Sequence, residues 1–194
     1  MKKFFTCFLF LQAFTLCAKG RTDNLNENYF EIANAYAEVK NYEKALYFYE
    51  KAGKDALYKN ACDYNSARMY GLLNRWAEAK KILHTLYESE PDNEMILQAY
   101  AYSLIMTGKN SEGKELYRQL AEKNSEDPES LLTYIRILVF IKDYQTAQET
   151  VDKAILDFPS AKERPDFDKL KTQIETALNK PEEKGIAPVK ENTD

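Results

Sequence analysis

The stretch YFEIANAYAEVKNYEKALYFYEKA, Tyr29 to Ala52, decides the fold. Phe30, Ala33 and Ala37 recur at intervals of three and four, and so do Tyr42, Ala45, Tyr49 and Ala52. That is the period of an amphipathic helix, read twice with a break at Lys40-Asn41. The first helix is expected over about Asn26–Val39 and the second over about Tyr42–Lys54. The pattern repeats along the chain. Ala45, Ala79, Gly113 and Ala147 stand 34 residues apart, preceded by three positions by Tyr42, Trp76, Asn110 and Tyr144. Twelve residues before each small residue come Ala33, Ala67, Ala101 and Ile135, and four after come Tyr49, Leu83, Tyr117 and Val151. One helix pair cannot bury its apolar face alone, so stacked neighbours must supply the core.

Small residues at these registers let paired helices approach closely, while Tyr, Trp and Leu fill the space between pairs. Pro91 and Pro159 end repeats, and Asp127-Pro128 reads as an N-cap followed by proline at the first helical position. Lys40, Asn74 and Lys142 stand at the inter-helix turn, where only Gly108 offers glycine. Asparagine tolerates a left-handed backbone, so the two lysines imply a different turn or local strain. Gly113, in place of alanine, is expected to cost about 1 kcal/mol of helix propensity. Asp63 and Ser66 occupy apolar positions, so the first helix of the second repeat is expected to be the least stable.

A 34-residue period with this pattern resembles the tetratricopeptide repeat, a helix–turn–helix unit. The resemblance implies an all-α, right-handed helical-repeat solenoid of about four units plus a C-terminal capping helix. The units cover roughly 26–59, 60–93, 94–127 and 128–161 within 25–160, and the cap lies in 162–180. In the cap, Phe167, Leu170, Ile174, Ala177 and Leu178 form one stripe over about Asp166–Asn179. The resemblance also implies a concave groove lined by the first helix of each unit. One row of that lining is Asn34, Arg68, Tyr102 and Arg136, and a second is Phe30, Tyr64, Gln98 and Leu132. Two arginines flanking a tyrosine offer forked donors for carboxylates beside an aromatic surface, suited to a peptide. The alternative is that these arginines pair with acids on adjacent helices, at little energetic gain.

The chain has 194 residues, 44% hydrophobic and 30% charged, with a formal charge of −4. That composition packs a core, and with no dense basic patch it disfavours nucleic acid as a partner. Metal, cofactor and enzyme chemistry are not expected: there is no phosphate-binding glycine loop, no CxxC and no HExxH. His84 is the single histidine, placed on a second helix as a solvated residue rather than a general base.

Met1-Lys2-Lys3, the apolar run Phe4–Leu16 and Ala18-Lys19-Gly20 have the layout of a signal peptide over residues 1–20. Its removal leaves 24 basic against 31 acidic residues, a net of −7. Cys17 is the candidate acylation site in a lipoprotein reading, although Leu16 stands where a small residue is usual. Cutting after Gly20 leaves Cys62 as a single cysteine, expected to be buried. Residues 181–194 read as a disordered tail. The expected role is a non-enzymatic scaffold or adaptor in the bacterial envelope, periplasmic or on the periplasmic side of a membrane. Its partner would be another envelope protein or a peptide, with self-association left open. The alternatives are a lipid-anchored subunit of an envelope machine and a periplasmic small-ligand carrier.

Overall fold

The computed structural model describes residues 25–179, so the leader with Cys17 and the tail 181–194 lie outside the described residues. Those residues form nine helices and no strand. They are α1 (25–38), α2 (Tyr42–Ala52), α3 (Lys59–Leu72), α4 (Trp76–Ser89), α5 (Glu94–Met106), α6 (Asn110–Lys123), α7 (Pro128–Phe140), α8 (Tyr144–Asp157) and α9 (Arg164–Leu178). The chain divides into two compact units between Tyr117 and Arg118, inside α6.

In the first unit α2 packs on α3, α3 on α4, and α4 on α5. The small-residue register is buried: Ala33, Ala45, Ala79 and Ala101 are fully enclosed, and Ala67 nearly so. Around Ala33 and Ala45 gather Tyr49, Ala52, Cys62 and Met69. Around Ala67 and Ala79 gather Leu83, Leu86 and Ile96. Gly113 follows a tighter version of the same rule. A β-carbon there would sit 2.7 Å from the Ala101 carbonyl oxygen and 2.7 Å from Ile105 Cδ1. Glycine is thus required by the approach of α5 to α6, which corrects its reading as a simple loss of helix propensity. Gly71 is needed in the same way, since a β-carbon would meet the Trp76 ring at 2.8 Å.

In the second unit α7 packs on α8, and α9 lies against both. Phe167 and Ile174 of α9 are fully buried together with Leu132, Ile135, Leu138, Ala147 and Val151. Lys171 of α9 donates to Asp152 of α8 at 2.6 Å, and Arg164 reaches the Ile155 carbonyl at 3.3 Å. This polar stitching fixes where the cap lies on α8.

The four turns that join the two helices within each pair close identically. Lys40, Asn74, Gly108 and Lys142 have φ of 59°, 58°, 81° and 63°. The next amide donates five residues back each time: Asn41 to Tyr36, Arg75 to Tyr70, Lys109 to Leu104 and Asp143 to Leu138, at 2.8–2.9 Å. The left-handed residue itself donates three back, to Ala37, Gly71, Ile105 and Val139. This is the Schellman closure. The lysines therefore adopt the glycine turn rather than a different one, and carry its strain. Asn41 and Asp143 then cap the following helix, accepting from the Lys44 and Thr146 amides. Asp127 caps α7 through the Glu129 and Ser130 amides with Pro128 behind it, as its sequence suggests. In contrast, α3 starts without a side-chain cap.

Relief of a left-handed side chain gains ~1–2 kcal/mol, against ~0.5–1 kcal/mol of glycine entropy. Lys40→Gly and Lys142→Gly are therefore expected to raise the unfolding free energy by about 0.5–1 kcal/mol each, and Gly108→Ala to lower it by about 1 kcal/mol. Urea titration followed by circular dichroism measures this, and a loss of stability in both lysine variants would contradict the strain.

Candidate functional site

The first unit brings together part of the expected lining. On α1, Asn34 is half-buried and accepts a 2.7 Å hydrogen bond from the Tyr49 hydroxyl of α2. Burial pushes the Tyr49 phenol up, and the positive charge of Arg68 nearby works against that shift. Asn34, Tyr49 and Arg68 thus share one polar neighbourhood across α1, α2 and α3. Tyr49 was legible in the sequence only as a repeat-register residue, not as the group that orients Asn34.

Arg68 is exposed, and its Nη1 donates to Asn65 Oδ1 one turn earlier at 3.2 Å. That neutral bond steadies the guanidinium without neutralising it, and no carboxylate pairs with Arg68 among the described residues. Phe30 is half-buried, held edge-on by Tyr49 at 5.8 Å and against Tyr58 at 5.7 Å. Tyr64 is half-buried in the α3–α4 cluster. On α5, Gln98 is exposed, and its backbone carbonyl accepts from the buried Tyr117 hydroxyl at 3.3 Å. Tyr102 meets the Trp76 ring edge-on at 5.4 Å, while Trp76 Nε1 is buried without a hydrogen-bond partner.

The second unit treats its two lining residues differently. Arg136 is held by Glu129 at 3.4 Å and by Asp166 of α9 at 3.3 Å. It follows the ion-pair alternative. Leu132 is fully buried. It belongs to the core that α7 shares with its packed neighbours, so it offers no surface, which corrects its place in the lining.

His84 lies exposed on α4, with Nδ1 3.5 Å from Glu88 and its ring 5.4 Å from Tyr100. Lys80, Lys81 and Lys109 join it around a furrow of about 510 Å³. Related furrows recur one register away, against α2–α4 and against α6–α8. They are the spaces left between successive second helices. Cys62 is a buried free thiol whose pKa burial lifts from 9.0 to about 11. Among the described residues no group of three or more His, Cys, Asp or Glu side chains has metal-holding geometry, and no helix is long and apolar enough to cross a membrane.

No family model matches the chain. An uncharacterized lipoprotein of Treponema pallidum (strain Nichols) is 36% identical over 146 residues, covering 75% of this chain and 74% of the relative. Among solved structures, YrrB, a TPR protein with an unusual peptide-binding site, superposes with a TM-score of 0.60 at 18% identity, over 88% of this chain and 86% of its own. The TPR-like repeats of a putative kinesin light chain from Podosopora anserina reach 0.67 at 15% identity, over 81% and 88%. At such identities the likeness is one of fold.

The raised Cys62 pKa carries two measurable consequences. The thiolate is the nucleophile, so the folded chain is expected to resist alkylation at pH 8 while the unfolded chain reacts readily. Because the folded pKa lies above the unfolded one, the thiol's contribution to stability is complete below pH 9.0 and is lost as pH rises through about 11. Comparing pH-dependent urea midpoints of wild type and Cys62→Ala checks this. An identical alkaline fall in both, or fast alkylation of the folded chain, would contradict it.

Proposed function

The chain belongs to the tetratricopeptide-repeat proteins and to one family with the Treponema pallidum lipoprotein, and on that premise we propose that it is a non-enzymatic interaction scaffold of the bacterial cell envelope. Its partner is an envelope protein or peptide presenting a carboxylate to Arg68, with Phe30, Asn34, Tyr64, Gln98 and Tyr102 as the surrounding surface. The observation that carries this reading is the guanidinium of Arg68, exposed, oriented by Asn65 and unmatched by any acid among the described residues. Arg136, at the same register, already has two carboxylates. A forked donor left in water is inexpensive to match with a ligand carboxylate, which gains paired, charge-assisted hydrogen bonds. Tyr64 and Tyr102 add apolar contact area with little side-chain freedom to lose. YrrB, alike in fold, is itself a TPR protein with a peptide-binding site.

The relative's description as a lipoprotein favours a second reading of the leader, in which Cys17 is acylated and anchors the scaffold to a membrane on its periplasmic side. A single acyl chain binds membranes only marginally, so this reading requires the multiple chains that lipoprotein processing supplies.

Arg68→Glu reverses the charge at one exposed position and is expected to leave the helix content unchanged. It is expected to weaken retention of the envelope partner by at least about tenfold, or ~1.4 kcal/mol. Equal retention by both chains from an envelope extract would move recognition away from Arg68. For the leader, Cys17→Ser is expected to abolish incorporation of labelled palmitate and release the chain from the membrane fraction. A chain that carries no label to begin with, or that stays membrane-bound after substitution, would overturn the anchored reading.

A further inference from the structure

The described residues begin with a helix that carries an exposed apolar ridge. Leu25, Ile32 and Val39 follow one another at seven-residue steps along the α1 side of the first helix pair, two turns apart, so they form one ridge. They are 47%, 38% and 72% exposed. The repeat register shows what such a position normally meets. Ile32 corresponds to Tyr100 and Tyr134 in later units. Tyr100 stacks on Tyr87 of the preceding second helix at 5.3 Å and 22°, and Tyr134 is buried. At its centre, Ile32, the α1 ridge therefore presents a position that a neighbouring helix covers elsewhere in the same chain.

Beneath the ridge, Tyr36 stacks on Phe48 of α2 at 5.5 Å, and Tyr29 leans on Phe48 at 6.0 Å. On the α2 side of this face lie Lys44, 5.1 Å over the Tyr36 ring, and Lys51, 5.2 Å over the ring of exposed Tyr47. On the far side of the ridge, α1 carries Glu27, Glu31 and Glu38, all exposed. None of these five charges makes an ion pair among the described residues. The face is thus an apolar ridge with an unpaired acidic row along one edge and an unpaired basic row along the other.

We propose that this face is the docking site for a second copy of the chain. A two-fold axis lying in the contact plane and parallel to the helices turns each acidic row onto the partner's basic row, and sets α1 of one copy antiparallel against α2 of the other. The contact is isologous and closes, so it makes a dimer rather than a filament. Charge complementarity selects a second copy as the occupant, because the face carries both halves of the match. A head-to-tail contact is disfavoured by α9, whose exposed residues include Asp168, Lys169, Thr172, Gln173 and Thr176 and which offers the ridge little apolar area beyond the half-exposed Leu178 at its end. The residues immediately before α1, Arg21-Thr22-Asp23-Asn24, are polar, and the apolar run Phe4–Leu16 belongs to the leader in the function proposed above. The dimer face and the surface around Arg68 involve different residues, so the failure of one leaves the other standing.

Sedimentation equilibrium of the exported chain tests the proposal, with circular dichroism confirming unchanged helix content in every variant. The wild type is expected to show twice the protomer mass at ~10 µM, with Ile32→Glu weakening association by at least about tenfold. Reversing the acidic row (Glu27→Lys with Glu31→Lys) or the basic row (Lys44→Glu with Lys51→Glu) is expected to weaken the dimer by a similar factor. Reversing both rows together is expected to restore it, which only a partner bearing both rows can produce. A monomer at all concentrations would overturn the proposal. So would a dimer that survives Ile32→Glu, or double reversal without recovery.

Discussion

Everything else in these units depends on how closely two helices of a pair can approach. At the crossing points of the first unit the chain places methyl groups or nothing: Ala33 with Ala45, Ala67 with Ala79, and Ala101 with Gly113; in the second unit Ile135 holds the same register as those alanines, with Ala147 as its small counterpart. The Ala101 carbonyl oxygen lies 2.7 Å from where a Gly113 β-carbon would sit, so there the distance is set by backbone against backbone. Close crossing pushes the larger residues outward to the sides of each pair. Tyr49, Leu83 and Val151 then become the core between one pair and the next. Dispersion and apolar burial at those sites supply the stability, but only because the crossing residues are small enough to let the pairs form.

That geometry dictates the turn. Two helices packed this closely leave room for a short reversal, and the left-handed Schellman closure satisfies the last free carbonyls of the first helix while starting the second. The same dihedral region and the same hydrogen bonds occur with glycine, asparagine or lysine in place. Tertiary packing overrides local preference here, and the strain of Lys40 and Lys142 is the measure of how strongly. Surfaces follow from the same scheme: what the pairs do not use between themselves is left for partners. Arg68 on α3 and the ridge on α1 are two places among the described residues where charge or apolar area is left unmatched.

Helix bounds were legible because spacing carries them. The start of the second helix at Tyr42 and the cap at Asp127-Pro128 are where the sequence puts them. The turns were half legible: a missing glycine suggested a different backbone, since conformational preference is local and the packing that overrides it is not. Gly113 read as a weak point in its helix, yet it makes space for the Ala101 carbonyl and Ile105, as Gly71 does for the Trp76 ring. The binding surface was least legible. Arg68 and Arg136 are indistinguishable by register, and the acid that takes Arg136 lies 30 residues on, at Asp166. Phe30, Tyr64, Gln98 and Leu132 share a register as well, but Leu132 lies in a unit where α9 packs on α7 in addition to α8, and it is drawn into that core.

The most direct test of this account is amide hydrogen exchange in the folded chain, read at Asn41, Arg75, Lys109 and Asp143, the four amides that close the turns. If packing imposes one closure on every pair, all four exchange slowly, protected nearly as well as the helix interiors beside them. Rapid exchange at Asn41 and Asp143, beside protection at Lys109 after glycine, would show instead that the lysine turns open and that local preference, not the crossing of the helices, governs the repeat.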